Sequence, residues 1–479
     1  MKLAWLIPLV VAALIAGCGG SSQGGLSDAL SFVPADSPIV ITVKTDTASG
    51  QYKNIRSLLS RFPGGSQLVM SALSSRGGVN FNRDVKPILG NDLVVAPTGL
   101  RAARNDVLVA LKVNDEAKAR SLLQRSGTKS GDVYRTSSGE AATIHDGVLV
   151  VAPSTASLNQ ALARAGGSDH MTSSEFNGRL GGLRSDALVK VGGDLQALIS
   201  QSAGGGTARR IPWVNALQTF GATVAADGDG IAIDFNVKTD PAGVKPTDVP
   251  LASGSSSPPV VSRPGEIGVG VRGLNQTIAF VEAAAQAINP GSLGRLNSSF
   301  QRIAGRYGVD VNRDVFGQLT GNTAFSVALG GGFAMRADVQ NPAAFRQTLS
   351  KLSPALTQFA AGAGLRNASL VKPGHGNPFY ALAGSNGKRY VFGVVGNVFV
   401  LATDSARAAQ FAAESPAQVP GANGALAILA DSRSLVAEAL KSSKQAGLAS
   451  LFTAPLGQLT GSVSSSTSGL TGHLKLNVH

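Results

Sequence analysis

The chain has 479 residues, of which 43% are hydrophobic and 15% charged, and a formal net charge of +13. That length exceeds one ordinary core and that composition is globular, which excludes a disordered chain and predicts two or three domains. The lone cysteine, Cys18, excludes disulfides within the chain and thiolate zinc sites.

Residues 1–17 have the form of an export signal: Lys2 is the positive start and Leu3 to Ala16 the apolar run, too short for a spanning helix and broken by Pro8. The run closes on Leu14-Ile15-Ala16-Gly17-Cys18, which resembles the bacterial lipobox, with Ile15 where Leu is commonest. That resemblance implies cleavage before Cys18, a thioether-linked lipid on it, and a protein on the extracytoplasmic face of the cell membrane. An ordinary secretory signal with an incidental cysteine is the competing reading. Residues 18–29, rich in Gly and Ser, read as a flexible tether.

Residues 30–240 form a first predicted domain. Ile39–Val43 reads as a strand, and Tyr52, Ile55, Leu58, Leu59 and Phe62 fall on one helix face. A second helix is expected near Leu68 to Ser75. Strands at Leu93–Ala96 and Val107–Val113 and a helix at Asp115–Arg125 follow. A meander of Val133–Thr136, Ala142–His145 and Val148–Ala152 turns at Asp146-Gly147. A helix at Thr155–Ala165, a strand at Ala187–Val191, a helix at Leu195–Ser200 and a closing hairpin complete the domain. Residues 241–262, with prolines spaced through Gly and Ser, read as an extended linker.

Residues 263–479 repeat this order of elements. The clearest shared stretch is Gly78 to Leu89, G-V-N-F-N-R-D-V-K-P-I-L, against Gly308 to Leu319, G-V-D-V-N-R-D-V-F-G-Q-L, identical at seven of twelve positions. The chain therefore reads as a tandem duplication. The short turns predict antiparallel sheets. The expected fold class is α+β: two similar domains, each a curved, mostly antiparallel sheet with helices packed on one face.

Phe32-Val33-Pro34-Ala35-Asp36-Ser37-Pro38 before a strand, and Asp84-Val85-Lys86-Pro87-Ile88-Leu89-Gly90, resemble domain-of-unknown-function family 3352, found in secreted and membrane-anchored bacterial proteins. In the second copy Phe316-Gly317 replaces Lys86-Pro87. The resemblance implies placement and fold, and brings no activity to any residue.

Searching for chemistry gives little. His145, His170, His375, His473 and His479 have no ligand spacing, and no nucleophile elbow or phosphate loop is present. The expectation is no metal, no cofactor and no enzyme activity. Asn82, Arg83, Asp84 and their counterparts Asn312, Arg313, Asp314 are the polar residues most worth attention. Asp could serve as a base and Arg as an anion clamp. Alternatively, Asp caps a turn and Arg bonds nearby acceptors. Occurrence at the same place in both copies favours the structural role, since a fold repeats its joints.

Charge is uneven: 23 basic and 19 acidic residues up to Asp240, but 18 basic and 9 acidic from Arg263 onward. A basic second half suits an anionic lipid or wall polymer, or is simply a soluble surface. With aromatic content at 5%, stacked binding of single strands or sugars is disfavoured, and no nucleic-acid partner is expected. Arg209-Arg210 beside Pro212-Trp213 reads either as a membrane-contact loop or as a solvated one. The leading expectation is a lipid-anchored envelope protein acting as a binding or scaffold module. The alternative is an extracytoplasmic carrier or sensor enclosing an apolar ligand, and a hydrolase comes last.

Overall fold

The structure, a computed structural model, describes residues 23–64, 81–97, 107–136, 139–360, 364–374, 377–440 and 453–479. The export signal, Cys18, the helix expected near Leu68 to Ser75 and the first three residues of the shared stretch lie outside the described residues. The chain divides into two compact units, one of Met1–Gly206, Leu217–Thr239 and Asn477–His479, the other of Thr207–Ala216 and Asp240–Leu476.

The first unit holds strands β1 (Ile39–Val43), β2 (Leu93–Pro97), β3 (Val107–Lys112), β4 (Thr128–Ser130), β5 (Val133–Arg135), β6 (Ala141–His145), β7 (Val148–Ala152), β8 (Val189–Asp194), β9 (Leu217–Asp227) and β10 (Gly230–Thr239). They pair in the order β10-β9-β8-β1-β2-β3-β7-β6-β5-β4, antiparallel throughout. The β6–β7 hairpin turns on Asp146 and Gly147, with φ of 49° and 72°, the left-handed pair that a two-residue turn requires.

Side chains alternate across a strand, so the central strands feed two cores. Val43, Leu93, Val109 and Val151 pack on one face with Ala119, Leu122 and Leu123 of the helix Glu116–Ser126. Val40, Val94, Ala110 and Val150 pack on the other with the helices Gln23–Leu30, Thr155–Ala165 and Ser173–Leu180. The expectation of helices on one face is thus corrected: both faces are covered, and β7 is buried at all five positions. The helix Ser173–Leu180 lies so close to the sheet that a Cβ on Gly221 would sit 2.8 Å from the Leu180 backbone. Only glycine fits beneath it.

The second unit holds β11 (Glu266–Arg272), β12 (Asn322–Ala328), β13 (Phe333–Asp338), β14 (Ser369–Val371), β15 (Tyr380–Ala383), β16 (Arg389–Val395), β17 (Val398–Ala402), β18 (Leu426–Asp431), β19 (Leu456–Ser466) and β20 (Gly469–Val478). Their order is β20-β19-β18-β11-β12-β13-β17-β16-β15-β14, and every registered pair is antiparallel. Again there are two cores. Ala334, Val400 and Ala402 pack with Phe411 of the helix Ser405–Ala413, and Met335 and Ala337 with Phe345 and Leu349 of the helix Pro342–Phe359. The chain is α+β with antiparallel sheets.

Two expected joints differ. Residues 23–29, read as part of a tether, belong to the helix Gln23–Leu30, whose Ala29 and Leu30 are fully buried. Gly25 lies tight against Asn91, where a Cβ would meet the side chain at 2.4 Å. The expected linker 241–262 is packed within the second unit. It forms turns at Pro241–Gly243 and Pro246–Asp248, buries Val249 and Val260, and exchanges backbone bonds between Val260 and Ala417. Its valines supply the apolar anchors that a solvated joint lacks.

Candidate functional site

The repeated Arg-Asp pairs sit in short helical turns. In the first unit Phe81–Val85 makes a π-turn followed by a 3-10 turn at Lys86–Ile88. Phe81, Val85 and Ile88 are buried, which turns Asp84 inward as well, to 3% exposure. Arg83 grips this carboxylate from outside, Nε to Oδ1 at 2.8 Å and Nη2 to Oδ2 at 3.1 Å. Arg125, from the last turn of the 116–126 helix, donates through Nη2 to the same Oδ1 at 2.8 Å. Two guanidiniums on one buried carboxylate make a charge-assisted cluster that ties a turn to a helix.

In the second unit the cap is Asp310, whose Oδ1 accepts the N–H groups of Asn312 and Arg313 at 3.0 and 3.1 Å. Asp314 Oδ2 accepts the Asp310 N–H at 2.9 Å, while Arg313 Nε reaches Oδ1 at 2.7 Å. The bond from Arg313 holds the Asp314 carboxyl below its usual pKa range, and the Asp310 N–H lowers it further. So Asp314 receives a backbone N–H, but at the start of its helix and not in the turn that follows. Asn82 and Asn312 are both exposed. Each carboxylate is occupied by donors from its own turn and its neighbours.

The hollows among the described residues of the first unit include an apolar one and a polar one. One is an apolar void under Leu93, Leu111, Leu122, Tyr134 and Leu149, of about 20 Å³, space for one water. The other is a polar cleft of about 340 Å³ among Lys44, Gln51, Asn54, Arg184, Asp186 and Asp227. Arg184 Nε and Nη2 donate to the two Asp186 oxygens at 3.0 and 3.2 Å, and Gln51 Nε2 donates at 3.1 Å. These bonds, the arginine's first, lower the Asp186 pKa. Gln51 also accepts the Ala226 N–H at 2.8 Å, which locks the wall. With Lys44 and Arg184 against Asp186 and Asp227, the cleft's local charges balance, and the Asp186 carboxylate takes three bonds.

On the sheet of that unit lies a buried polar row. Lys190 pairs with Thr42 on one side and Thr223 on the other. Burial pushes the Lys190 ammonium pKa down, Asp92 at 4.0 Å offsetting it in part. The Thr42 and Thr223 hydroxyls, each 1% exposed, find no partner among the described residues. Sequence reading missed Arg125, the cleft and this row. Each is assembled across strands or between a helix and a turn, with no spacing to betray it. Among the described residues no three His, Cys, Asp or Glu side chains gather as a metal site, and no helix is long and apolar enough to cross a membrane.

This geometry defines an α+β protein with antiparallel sheets covered on both faces and its repeated ion pairs spent on the fold. The chain belongs to the family described as "Protein of unknown function (DUF3352)", matched over residues 3–361. No curated protein matches it. Among solved structures it is similar to crystal form IV of TP0453, at 10% identity over 44% of this chain and 81% of that one, with a TM-score of 0.26. Crystal form I of TP0453 gives 12% identity over 44% and 79%, again at 0.26. Scores that low carry no argument about function.

Proposed function

We propose that the protein is a non-enzymatic, lipid-anchored envelope protein, held through Cys18 on the outer face of the cytoplasmic membrane. In this reading two similar α+β domains, each built on one curved sheet, arose by tandem duplication and serve as a binding or scaffold module. The carrying observation is that Asp84 and Asp314 are both held by their own arginine neighbours in turns of the fold. The strand orders support the duplication. Read from β10 and from β20, they run through the same sequence of counterparts to β4 and β14. Arg125 stands ten residues after the helix cap Asp115, and Lys351 ten after the cap Asn341. Lys351 acts electrostatically on Asp314 as Arg125 does by contact on Asp84.

An apolar-ligand carrier would need a chamber of roughly 300 Å³ or more. The apolar void of the first unit offers about 20 Å³. The test is crosslinking on intact membranes, followed by pull-down and mass spectrometry of both proteins and lipids. Specific protein or wall-polymer adducts support the module. Recovery of a stoichiometric apolar small molecule instead would establish the carrier.

A further inference from the structure

We propose that the second unit docks on an anionic lipid surface through the helix Leu274–Ile288 and the arginines beside it. This rests on the lipid-anchored reading, which would keep the unit within reach of such a surface. The helix has 15 residues, none of them buried, and Glu282 is its one charged residue. Val281 is 57% exposed and Ile288 48%. Seven residues apart, they stack on one side of the helix. A surface helix normally turns such residues inward, and this one presents them to solvent.

The neighbours on both flanks add the rest of an interfacial site. The helix Pro290–Tyr307 packs on it. That partner sends Ile303 into the core, exposes Arg302 and Arg306 four residues apart, and contains no acidic residue. Trp213 also meets Phe280 of the helix Leu274–Ile288 edge-on, with ring centroids 6.2 Å apart, and Arg210 is exposed three residues before it. The Trp213 ring anchors this flank, packed against Ala216, Val244 and Val249 with its indole N–H buried. Exposed apolar side chains flanked by exposed arginines are what a helix lying in a headgroup region displays. Anionic lipid answers both halves of this surface, the acyl boundary taking Val281 and Ile288 and the headgroups taking Arg302 and Arg306. A second copy would answer the apolar half but would bring arginines against arginines across a two-fold axis.

The test uses the full chain carrying Cys18→Ser, so that Val281→Cys supplies the sole thiol for an environment-sensitive fluorophore. Vesicles of phosphatidylglycerol and phosphatidylcholine should blue-shift the label and cut its quenching by aqueous iodide several-fold. Vesicles of phosphatidylcholine alone should do neither. The same label at Val371→Cys, a 56%-exposed position on β14, should stay quenchable in both. Arg302→Glu with Arg306→Glu should lower the vesicle-bound fraction about tenfold, and the Gln pair serves if the Glu pair melts early. An unshifted label at 281 on anionic vesicles overturns the proposal, as does binding that ignores the arginine changes. Protection of the label by raised protein concentration without vesicles would assign the face to a second copy. Failure of the anchor itself would show as an unacylated Cys18 in the wild-type protein, and would leave these measurements unchanged.

Discussion

Arg125 and Asp84 join the last turn of one helix to a buried π-turn, Nη2 to Oδ1 at 2.8 Å. The carboxylate is 3% exposed and also takes both bonds from Arg83, so it is the fixed centre and the arginines are its partners.

Asp84→Ala should therefore destabilise the first unit by about 2 kcal/mol, since it strands two arginines and opens a buried site. Asp314→Ala should cost about 1 kcal/mol, because that carboxylate is 23% exposed and its arginine is solvated. Urea unfolding of the two variants measures both. Equal costs, or none, would contradict the difference in burial. In a double-mutant cycle Arg125→Ala should couple to Asp84→Ala and be additive with Asp314→Ala.

Lys190 sets a pH dependence. Its folded pKa lies below the unfolded value of roughly 10.4, so in that interval the unfolded chain binds the extra proton. Stability from this group therefore rises with pH, beginning at the lowered folded pKa and levelling off above the unfolded one. Lys190→Met should flatten that part of the curve and leave stability at neutral pH equal or higher. A Met variant with the same alkaline rise as wild type would assign it elsewhere.

Gly221→Val should loosen the first unit by at least about 2 kcal/mol, because the added atoms meet the Leu180 backbone and no side chain that can swing away. Gly228→Ala, at a turn with open space but φ of 55°, should cost about 1 kcal/mol. Thermal melts that rank these two the other way would show that the helix Ser173–Leu180 can lift from the sheet.

Cys18→Ser should move the protein from membranes to the soluble fraction, or leave an unprocessed precursor, with loss of the acyl mass from the N-terminal peptide. A serine variant that keeps a normal acyl mass and membrane association would end the anchor proposal.

Much of this fold can be read where residues carry their own punctuation. Val148–Ala152 and Thr155–Ala165 have the limits expected, because Asp146-Gly147 makes a turn and the Ser154 side chain accepts the Ser157 N–H. The helix Ser173–Leu180 escaped, having only Phe176 and Leu180 as large apolar residues. Its signal was the capping box of Thr172 and Glu175. Strands β4 and β14 are three residues each and mostly exposed, so they lack any alternation to read. The cleft and the Lys190 row were beyond reach, since Gln51 finds Asp186 and Ala226 only once the strands are paired.

Val478, one of the last two residues of β20, which belong to the first unit, is 2% exposed and sits with Tyr52, Leu58, Leu188 and Ala226 in that unit's core. Arg61 donates to its carbonyl across 417 residues of sequence. A nascent chain that has finished residues 30–240 thus lacks a piece of its own first core. Until the distant strand emerges, Tyr52 and Leu58 keep a wet edge, and closing it carries the slow search of a very long loop. A truncation that removes the end of β20, or a bulky tag placed after it, would consequently injure the part of the protein synthesised earliest, and a chaperone binding that edge during synthesis would be meeting a normal intermediate.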